Sequence, residues 1–378
     1  MRGKMGSKAA LITAGGAAVS VAGAMAGLAR RRHQPPAPAA ILDSAIGNRR
    51  IPVEDLLPTR VDDLIGSITA PDRGRTVRTG DGAELFVREF GPADGEPIVM
   101  CHGWVCCTEF WAPQINALAD RYRVITYDQR GHGNSTMGSA RLTAGTPGAD
   151  LADVLQATVD PAKPAVIVGH SMGGMSIMSW AGRRPDEVSR YAKGIVLAST
   201  GANQLLQDLG VLPFRRRLPA RAEALLRASI GTELPLPAET LTSPLVLSGI
   251  RYVALSKDAT RAEVDFSARI VRSCSPKTRG AWGLMLADLD IYSGLENITV
   301  PTTVLVGADD RLTPAVHSYR IAAKLADTGE LYRFIEIPGV GHMLPVEAVE
   351  QTNAEIIRLA QHTDEPAIGR PGGVLVDA

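Results

Sequence analysis

The chain has 378 residues, and its 40 Lys and Arg residues balance 40 Asp and Glu residues, so the formal net charge is zero at pH 7. This balance provides no global attraction to nucleic acid and argues against that class of partner. Apolar residues make up 45% of the chain and charged residues 21%, which is typical of a globular protein and argues against a largely disordered chain or a polytopic membrane protein.

The four cysteines are Cys101, Cys106, Cys107 and Cys274. Their positions match no CxxC or zinc-ligand spacing, and four are too few for a disulfide framework. We therefore expect buried or idle thiols, no metal site and no cofactor.

The N-terminal region contains an uncharged, Ala- and Gly-rich run at residues 9–29 with basic residues on both sides. A run of about 20 residues is long enough to cross a bilayer as a helix. The pattern predicts a signal peptide or membrane anchor within residues 1–33, with a flexible leader as the third interpretation. The predicted location is therefore the cell envelope, membrane-anchored or secreted, and residues 9–29 are the candidate for membrane association. Residues 34–73 are predicted to be a Pro- and Ala-rich linker, and residues 364–378 a flexible tail.

Between these ends, apolar β-type runs alternate with helical stretches, which indicates a sheet covered by helices on both faces. The first signal is a hairpin of residues 75–78 and 84–89 around Gly80-Asp81-Gly82. Near-continuous apolar runs then favour buried, parallel strands. These strands are predicted at 98–101, 124–127, 165–168, 194–198, 303–306 and 332–337.

The stretch from 201 to 299 has several helical patterns and no convincing strand. It is predicted to be a helical cap inserted into a core formed by residues 74–200 and 300–363. Apolar cap residues such as Leu205, Leu284 and Leu286 would suit an acyl-binding tunnel, although such side chains mostly pack a cap onto its core.

The sequence Gly169-His170-Ser171-Met172-Gly173 directly follows an apolar strand and precedes a helix predicted at 175–181. A chain that turns so sharply needs small residues at Gly169 and Gly173, and it presents the Ser171 hydroxyl at the apex. Ser171 is therefore the predicted nucleophile.

A serine nucleophile requires a base, and the base requires a carboxylate that orients it. His342 lies in a Gly-rich loop after the last predicted strand and is the predicted base. The loop after strand 303–306 offers Asp309 and Asp310, of which the pattern favours Asp310.

An oxyanion formed during acyl transfer needs two N–H donors. The amide of Met172, the residue after the nucleophile, is the first candidate, and the amide of Trp104 in the loop after strand 98–101 is the second. His102, Gly103 and His170 are predicted to support these loops, with a simple strand-ending turn at 102–103 as the alternative.

These motifs, in this order along the chain, resemble the α/β-hydrolase fold family, in particular its capped members of the esterase, lipase and cofactor-free peroxidase type. The resemblance covers roughly residues 75–362 and includes the segment 128–135 after a predicted strand. It implies an eight-stranded, mostly parallel sheet with helices on both faces. The leader and linker are not part of the family core.

The predicted function is hydrolysis of a carboxylic ester, of a small molecule or a lipid, through a Ser-His-Asp triad and an acyl-enzyme. Thioester hydrolysis, carbon–carbon bond hydrolysis and haloperoxidase-type perhydrolysis are the alternatives on the same triad. A binding module on this fold typically loses a triad member, whereas this chain keeps all three. Thr136 occupies the third glycine position of a GxGxxG pattern that begins at Gly131, which argues against a dinucleotide site. The oligomeric state is left open.

Overall fold

The structure is a computed structural model that describes residues 65–210 and 244–362, together with positions 224, 227, 228, 230 and 231. The predicted leader, most of the predicted linker and the predicted tail lie outside the described residues, as does part of the predicted cap. The predicted α/β-hydrolase fold is confirmed within the described part.

One sheet of eight strands forms the centre of the molecule, with the spatial order β1-β2-β4-β3-β5-β6-β7-β8. The first two pairings, β1 with β2 and β2 with β4, are antiparallel, and the others are parallel. The strands are β1 (Asp72–Arg78), β2 (Glu84–Phe90), β3 (Glu96–Cys101), β4 (Tyr122–Tyr127), β5 (Ala165–His170), β6 (Ala192–Ala198), β7 (Thr302–Gly307) and β8 (Leu331–Ile337).

Strand β3 is followed in the chain by β4, which lies on one side of it, whereas β5 lies on its other side and is followed by β6 farther in that direction. The order of the strands therefore reverses between β3 and β5. The loops that follow these two neighbouring strands therefore diverge. Parallel sheets bind their ligands in the crevice at the carboxyl ends of such strands. The fold thus places the loop after Cys101 and the turn after His170 on either side of one crevice.

Helices cover both faces because successive strand residues point to opposite sides of the sheet. Val99 and Ile167 belong to one apolar cluster, with α2, α3 and α8, whereas Ile98 and Val166 belong to the other, with α1 and α10. The helices are α1 (Ala112–Leu118), α2 (Thr146–Thr158), α3 (Met172–Arg183), α4 (Pro185–Tyr191), α5 (Pro244–Ala254), α6 (Arg261–Ser273), α7 (Pro276–Ala287), α8 (Ala315–Thr328), α9 (Leu344–Glu347) and α10 (Val349–Gln361).

The predicted cap contains helices α5, α6 and α7, and its described residues include no strand. Helix α6 begins with a capping box in which the Thr260 side chain accepts from the Glu263 amide and the Glu263 carboxylate accepts from the Thr260 amide. Helix α7 lies on the core, because the Trp282 indole donates to the carbonyl of Arg130 over 2.8 Å and the Thr278 hydroxyl donates to that of Gly131 over 2.8 Å.

No helix among the described residues is long and apolar enough to cross a membrane. The segment 9–29, from which a membrane span was predicted, lies outside the described residues.

We expect Gly173→Ala to destabilise the fold by about 3 kcal/mol or more, since a Cβ atom at this position would overlap the carbonyl oxygen of Cys101 on β3. Gly80→Ala is the matched control, because a Cβ atom there would meet nothing within 4 Å. Urea unfolding of both variants tests this expectation. Equal midpoints for the two variants would contradict it.

Candidate active site

The turn between β5 and α3 holds Ser171 in a strained backbone conformation, with φ 52° and ψ −118°. A non-glycine residue with positive φ persists only where its surroundings hold it. The Ser171 amide donates to the carbonyl of Ala198 over 3.0 Å, and the Thr200 hydroxyl donates to the Ser171 carbonyl over 2.7 Å. Both ends of the strained residue are therefore bound to the segment around the end of β6.

Close packing on both sides of Ser171 explains why the turn contains glycines. A Cβ atom at Gly169 would lie 2.5 Å from the Gly174 amide nitrogen, and one at Gly173 would overlap the Cys101 carbonyl. The start of α3 can therefore approach β3 and β5 closely. The Ser171 side chain then lies at the N-terminus of a 12-residue helix, where unpaired amides and the helix dipole favour negative charge.

The structure brings the side chains of Ser171, His342 and Asp310 into one hydrogen-bonded chain. The Ser171 Oγ atom lies 3.0 Å from His342 Nε2, and His342 Nδ1 lies 2.9 Å from Asp310 Oδ2. All three residues are at least 92% buried, with relative exposures of 8%, 5% and 5%. This geometry allows an imidazole to accept the serine proton while the carboxylate orients its other nitrogen.

Local hydrogen bonds fix the Asp310 carboxylate in the loop after β7. The amides of Leu312 and Thr313 each donate to Oδ1 over 2.9 Å, and the Thr313 hydroxyl lies 2.9 Å from Oδ2. The Thr313 hydroxyl also lies 2.8 Å from the Ser199 carbonyl, which ties this loop to the end of β6. The structure therefore places Asp310 against His342, while Asp309 is only half-buried.

The loop that carries His342 is held by two buried side chains. His170 Nε2 donates to the His342 carbonyl over 2.8 Å. The Glu347 carboxylate accepts from the Gly341 amide over 3.1 Å and from the Ser256 amide over 2.8 Å. Burial raises the pKa of Glu347 to about 7, so this loop depends on a carboxyl group that titrates near neutral pH.

The two predicted oxyanion donors lie on either side of the crevice. Met172 is the first residue of α3, where an amide has no partner within its helix. The amide of Trp104 forms no hydrogen bond with the described residues, whereas the neighbouring Cys106 amide donates to the Gly103 carbonyl over 3.2 Å. Gly103 lies against the turn, since a Cβ atom there would be 3.2 Å from the Ser171 Cβ atom.

The neutral ring of His102 supports the loop after β3. Its Nε2 accepts from the Gln129 amide over 2.9 Å, and its Nδ1 lies 2.8 Å from the Gly103 carbonyl. Complete burial lowers the pKa of His102 to about 4. Burial also lowers the pKa of His170 well below its ordinary value, so the rings that support the site carry no charge at neutral pH.

The described residues contain no group of three or more His, Cys, Asp or Glu side chains that could hold a metal ion. The four cysteines are buried, and burial raises the pKa of Cys101 to about 12 and that of Cys274 to about 11. Such thiols remain protonated at neutral pH.

A comparison with known protein families shows to which family the chain belongs. The model of the alpha/beta hydrolase family matches residues 98–355, which include the turn at Ser171, the Asp310 loop and the His342 loop. The chain belongs to the alpha/beta hydrolase family. This membership agrees with the sheet order and with the position of the crevice.

Individual relatives in this family carry different names. The chain is 29% identical to a non-heme chloroperoxidase from Burkholderia pyrrocinia, covering 75% of this chain and 99% of that protein. It is 26% identical to a bifunctional esterase/perhydrolase from Acinetobacter calcoaceticus, covering 74% of this chain and 97% of that protein. An esterase structure from Exiguobacterium antarcticum has a TM-score of 0.61 at 19% identity, covering 77% of this chain and 100% of that one, and it shows the fold alone.

The predicted membrane-anchored or secreted location is wrong on these findings. A bilayer crossing requires a helix of about 20 apolar residues, and no described helix could supply one. The non-heme chloroperoxidase from Burkholderia pyrrocinia is matched over 99% of its length by 75% of this chain. A second one, from Streptomyces lividans, is matched over 92% of its length by 70% of this chain. These relatives therefore give no support to a location at the cell envelope, and residues 9–29 themselves lie outside the described residues.

Three contributors to the site were not identified from the sequence: Thr313, Glu347 and His132. Thr313 has a local signal, since a threonine three residues after Asp310 can close an Asx-type turn around its carboxylate. The contacts of Glu347 with Ser256 and of His132 with Val105 have none, because these partners lie far away in the sequence.

We expect His102 to make the fold less stable as the pH falls. The folded state binds its proton at a pKa of about 4, below the value of about 6.5 in an unfolded chain, so the unfolded state takes up the proton first. Stability present above pH 6.5 is therefore lost between about pH 6.5 and pH 4, by up to about 3 kcal/mol.

His102→Gln tests this contribution because glutamine can keep the acceptor for the Gln129 amide without titrating. Urea unfolding at pH 7 and at pH 4.5 should show a smaller loss of stability in the variant than in the natural protein. Equal losses in the two proteins would contradict the neutral assignment of His102.

Proposed function

We propose that this chain is a serine hydrolase that cleaves carboxylic esters through an acyl-enzyme intermediate. The observation that carries the proposal is the hydrogen-bonded chain from Ser171 through His342 to Asp310. It is built on a strained turn beside two amides that form no hydrogen bond with the described residues. Each element has a place in acyl transfer, and the family membership supports a hydrolytic enzyme.

In the first half-reaction, the Ser171 oxygen attacks the ester carbonyl while His342 Nε2 takes the hydroxyl proton. The carbonyl oxygen becomes an oxyanion, and the amides of Met172 and Trp104 donate to it. His342 then gives its proton to the alkoxide as the carbon–oxygen bond breaks, and the alcohol leaves. The Asp310 carboxylate stabilises the imidazolium during both transfers.

In the second half-reaction, His342 removes a proton from water as the water oxygen attacks the acyl carbon. A second oxyanion forms in the same place and collapses. The proton returns to the Ser171 oxygen, and the carboxylic acid is released. The burial of all three side chains supports this cycle, because a preorganised hydrogen bond acts more strongly where water is excluded.

Perhydrolysis is the second candidate activity, and the names of the relatives favour it. One is a non-heme chloroperoxidase and another a bifunctional esterase/perhydrolase. The same acyl-enzyme would transfer its acyl group to hydrogen peroxide instead of water and release a peroxy acid. An assay of acid and peroxy acid formed from one ester at increasing peroxide concentration measures the partition between the two activities. Thioesters offered beside the esters test the remaining acyl-transfer alternative.

We expect Ser171→Ala to reduce ester turnover by about 10⁴- to 10⁶-fold, because among the described residues no other hydroxyl is held against His342 Nε2. The melting temperature should change little. Hydrolysis of a short p-nitrophenyl ester and labelling by a fluorophosphonate probe measure the effect, with the exposed Ser139→Ala as the control. A Ser171→Ala variant that retains turnover would remove Ser171 from the mechanism.

We expect Asp310→Asn to lower kcat by about 10³- to 10⁴-fold, since an amide no longer stabilises the imidazolium and favours the wrong tautomer of His342. Asp309→Asn is the matched control, because that neighbouring carboxylate is half-buried and not bonded to His342 among the described contacts. Steady-state kinetics of the two variants decide between the carboxylates. A larger loss in Asp309→Asn would reverse the assignment.

A further inference from the structure

The residue after Trp104 is held in an unfavourable backbone conformation. Val105 has φ 60°, and a β-branched residue in this region is a genuine outlier that needs external support. The proposed function uses the amide of Trp104, which lies in the peptide unit between Gly103 and Trp104. The next unit, between Trp104 and Val105, adjoins it, so a restraint on the Val105 amide also limits the orientation of the Trp104 amide.

Two hydrogen bonds restrain the strained residue and its neighbour. The Cys106 amide donates to the Gly103 carbonyl over 3.2 Å and closes a turn around Trp104 and Val105. The Val105 amide donates to His132 Nε2 over 3.3 Å. His132 lies in the loop after β4, whereas Val105 lies in the loop after β3. The hydrogen bond therefore joins two different loops at the same edge of the sheet.

The surroundings of His132 leave Nε2 as an acceptor. The ring is 1% exposed, and Nδ1 lies 3.2 Å from the Arg130 carbonyl, which fixes the proton on Nδ1. The rings of His102 and Trp282 pack against it at centroid distances of 5.3 and 5.8 Å. Arg130 itself is held by Asp81 and Asp150, so the support for His132 is rigid.

We propose that His132 is a positioning residue for the oxyanion site: its Nε2 atom holds the Val105 amide in the strained turn and so keeps the Trp104 amide directed toward the reacting carbonyl. The inference rests on the proposed function. Burial lowers the pKa of His132 to about 3, so the acceptor persists across the working pH range. His132 does not touch the substrate, and it acts only through the peptide unit between Trp104 and Val105.

Two substitutions separate the two ring nitrogens. His132→Gln places a side-chain oxygen near the position of Nε2 and can accept from Val105, whereas His132→Asn reaches only the position of Nδ1 and loses that acceptor. We expect His132→Asn to lower kcat for a p-nitrophenyl ester by about 10- to 100-fold with little change in KM. This decrease is smaller than the decrease of about 10²- to 10³-fold that follows removal of a whole oxyanion donor. His132→Gln should restore kcat to within about threefold of the natural value.

A double-mutant cycle with Val105→Gly tests the mechanism itself. Glycine adopts a positive φ without strain, so the turn no longer depends on His132. We expect His132→Asn to cost less than about threefold in kcat in the Val105→Gly background, against at least about tenfold in the natural background. Equal costs in the two backgrounds would overturn the inference.

Trp282→Phe is the control for a loss of packing in the same cluster, since it removes the other hydrogen bond to the Arg130 carbonyl. It should lower the melting temperature while kcat stays within about twofold of the natural value, because the Val105 contact is kept. If His132→Asn lowers only the melting temperature, its role is structural and the inference is wrong. The proposed function has its own test, because it would be wrong if Ser171→Ala retained turnover. The two failures can therefore be told apart.

Discussion

The strained turn at Ser171 depends on how closely helix α3 can approach strands β3 and β5. Gly169 and Gly173 permit this approach, and the Ala198 carbonyl and the Thr200 hydroxyl hold the turn from the neighbouring strand. Strain of this kind is stored only where the surrounding packing outweighs it. The interior of the sheet therefore supplies the free energy that keeps one hydroxyl projecting into the crevice.

Around this turn, a hydrogen-bonded carboxylate lies near supporting rings that burial keeps neutral. The carboxylate of Asp310 accepts from two backbone amides and faces His342. The supporting rings of His102 and His132 are kept neutral by burial, with pKa values lowered to about 4 and about 3. Neutral supports leave His342 free of nearby positive charge from these rings.

Helix α7 links the predicted cap to the loops that form the crevice. The Trp104 indole donates to the Arg279 carbonyl over 3.1 Å, and the α7 side chains of Thr278 and Trp282 donate to the Gly131 and Arg130 carbonyls. One helix therefore contacts both the loop after β3 and the loop after β4. His132 of the second loop accepts from the Val105 amide of the first, so the two loops are also joined directly.

The periodicity and the glycine positions of the sequence by themselves determined the class of the fold and most strand locations. Five of the six predicted buried strands began one or two residues late, as at Ile98 instead of Glu96, where polar residues join the ladder without extending the apolar pattern. The strand predicted from Ala165 begins at that residue. The hairpin likewise starts at Asp72, because exposed residues pair with β2. Helix α3 begins at Met172 and not at 175, because packing overrides the low helix propensity of two glycines.

The tertiary structure alone decided which distant groups meet. Sequence reasoning proposed Ser171, Asp310 and His342 because each follows a strand, and strand ends share one edge of a parallel sheet. It could not choose the contacts of Glu347 with Ser256 or of His132 with Val105, since nothing local in either segment encodes a partner so far along the chain. Those contacts arise when the predicted cap and the strand-end loops pack together, because only that packing brings Glu347 to the Ser256 amide and His132 to the Val105 amide.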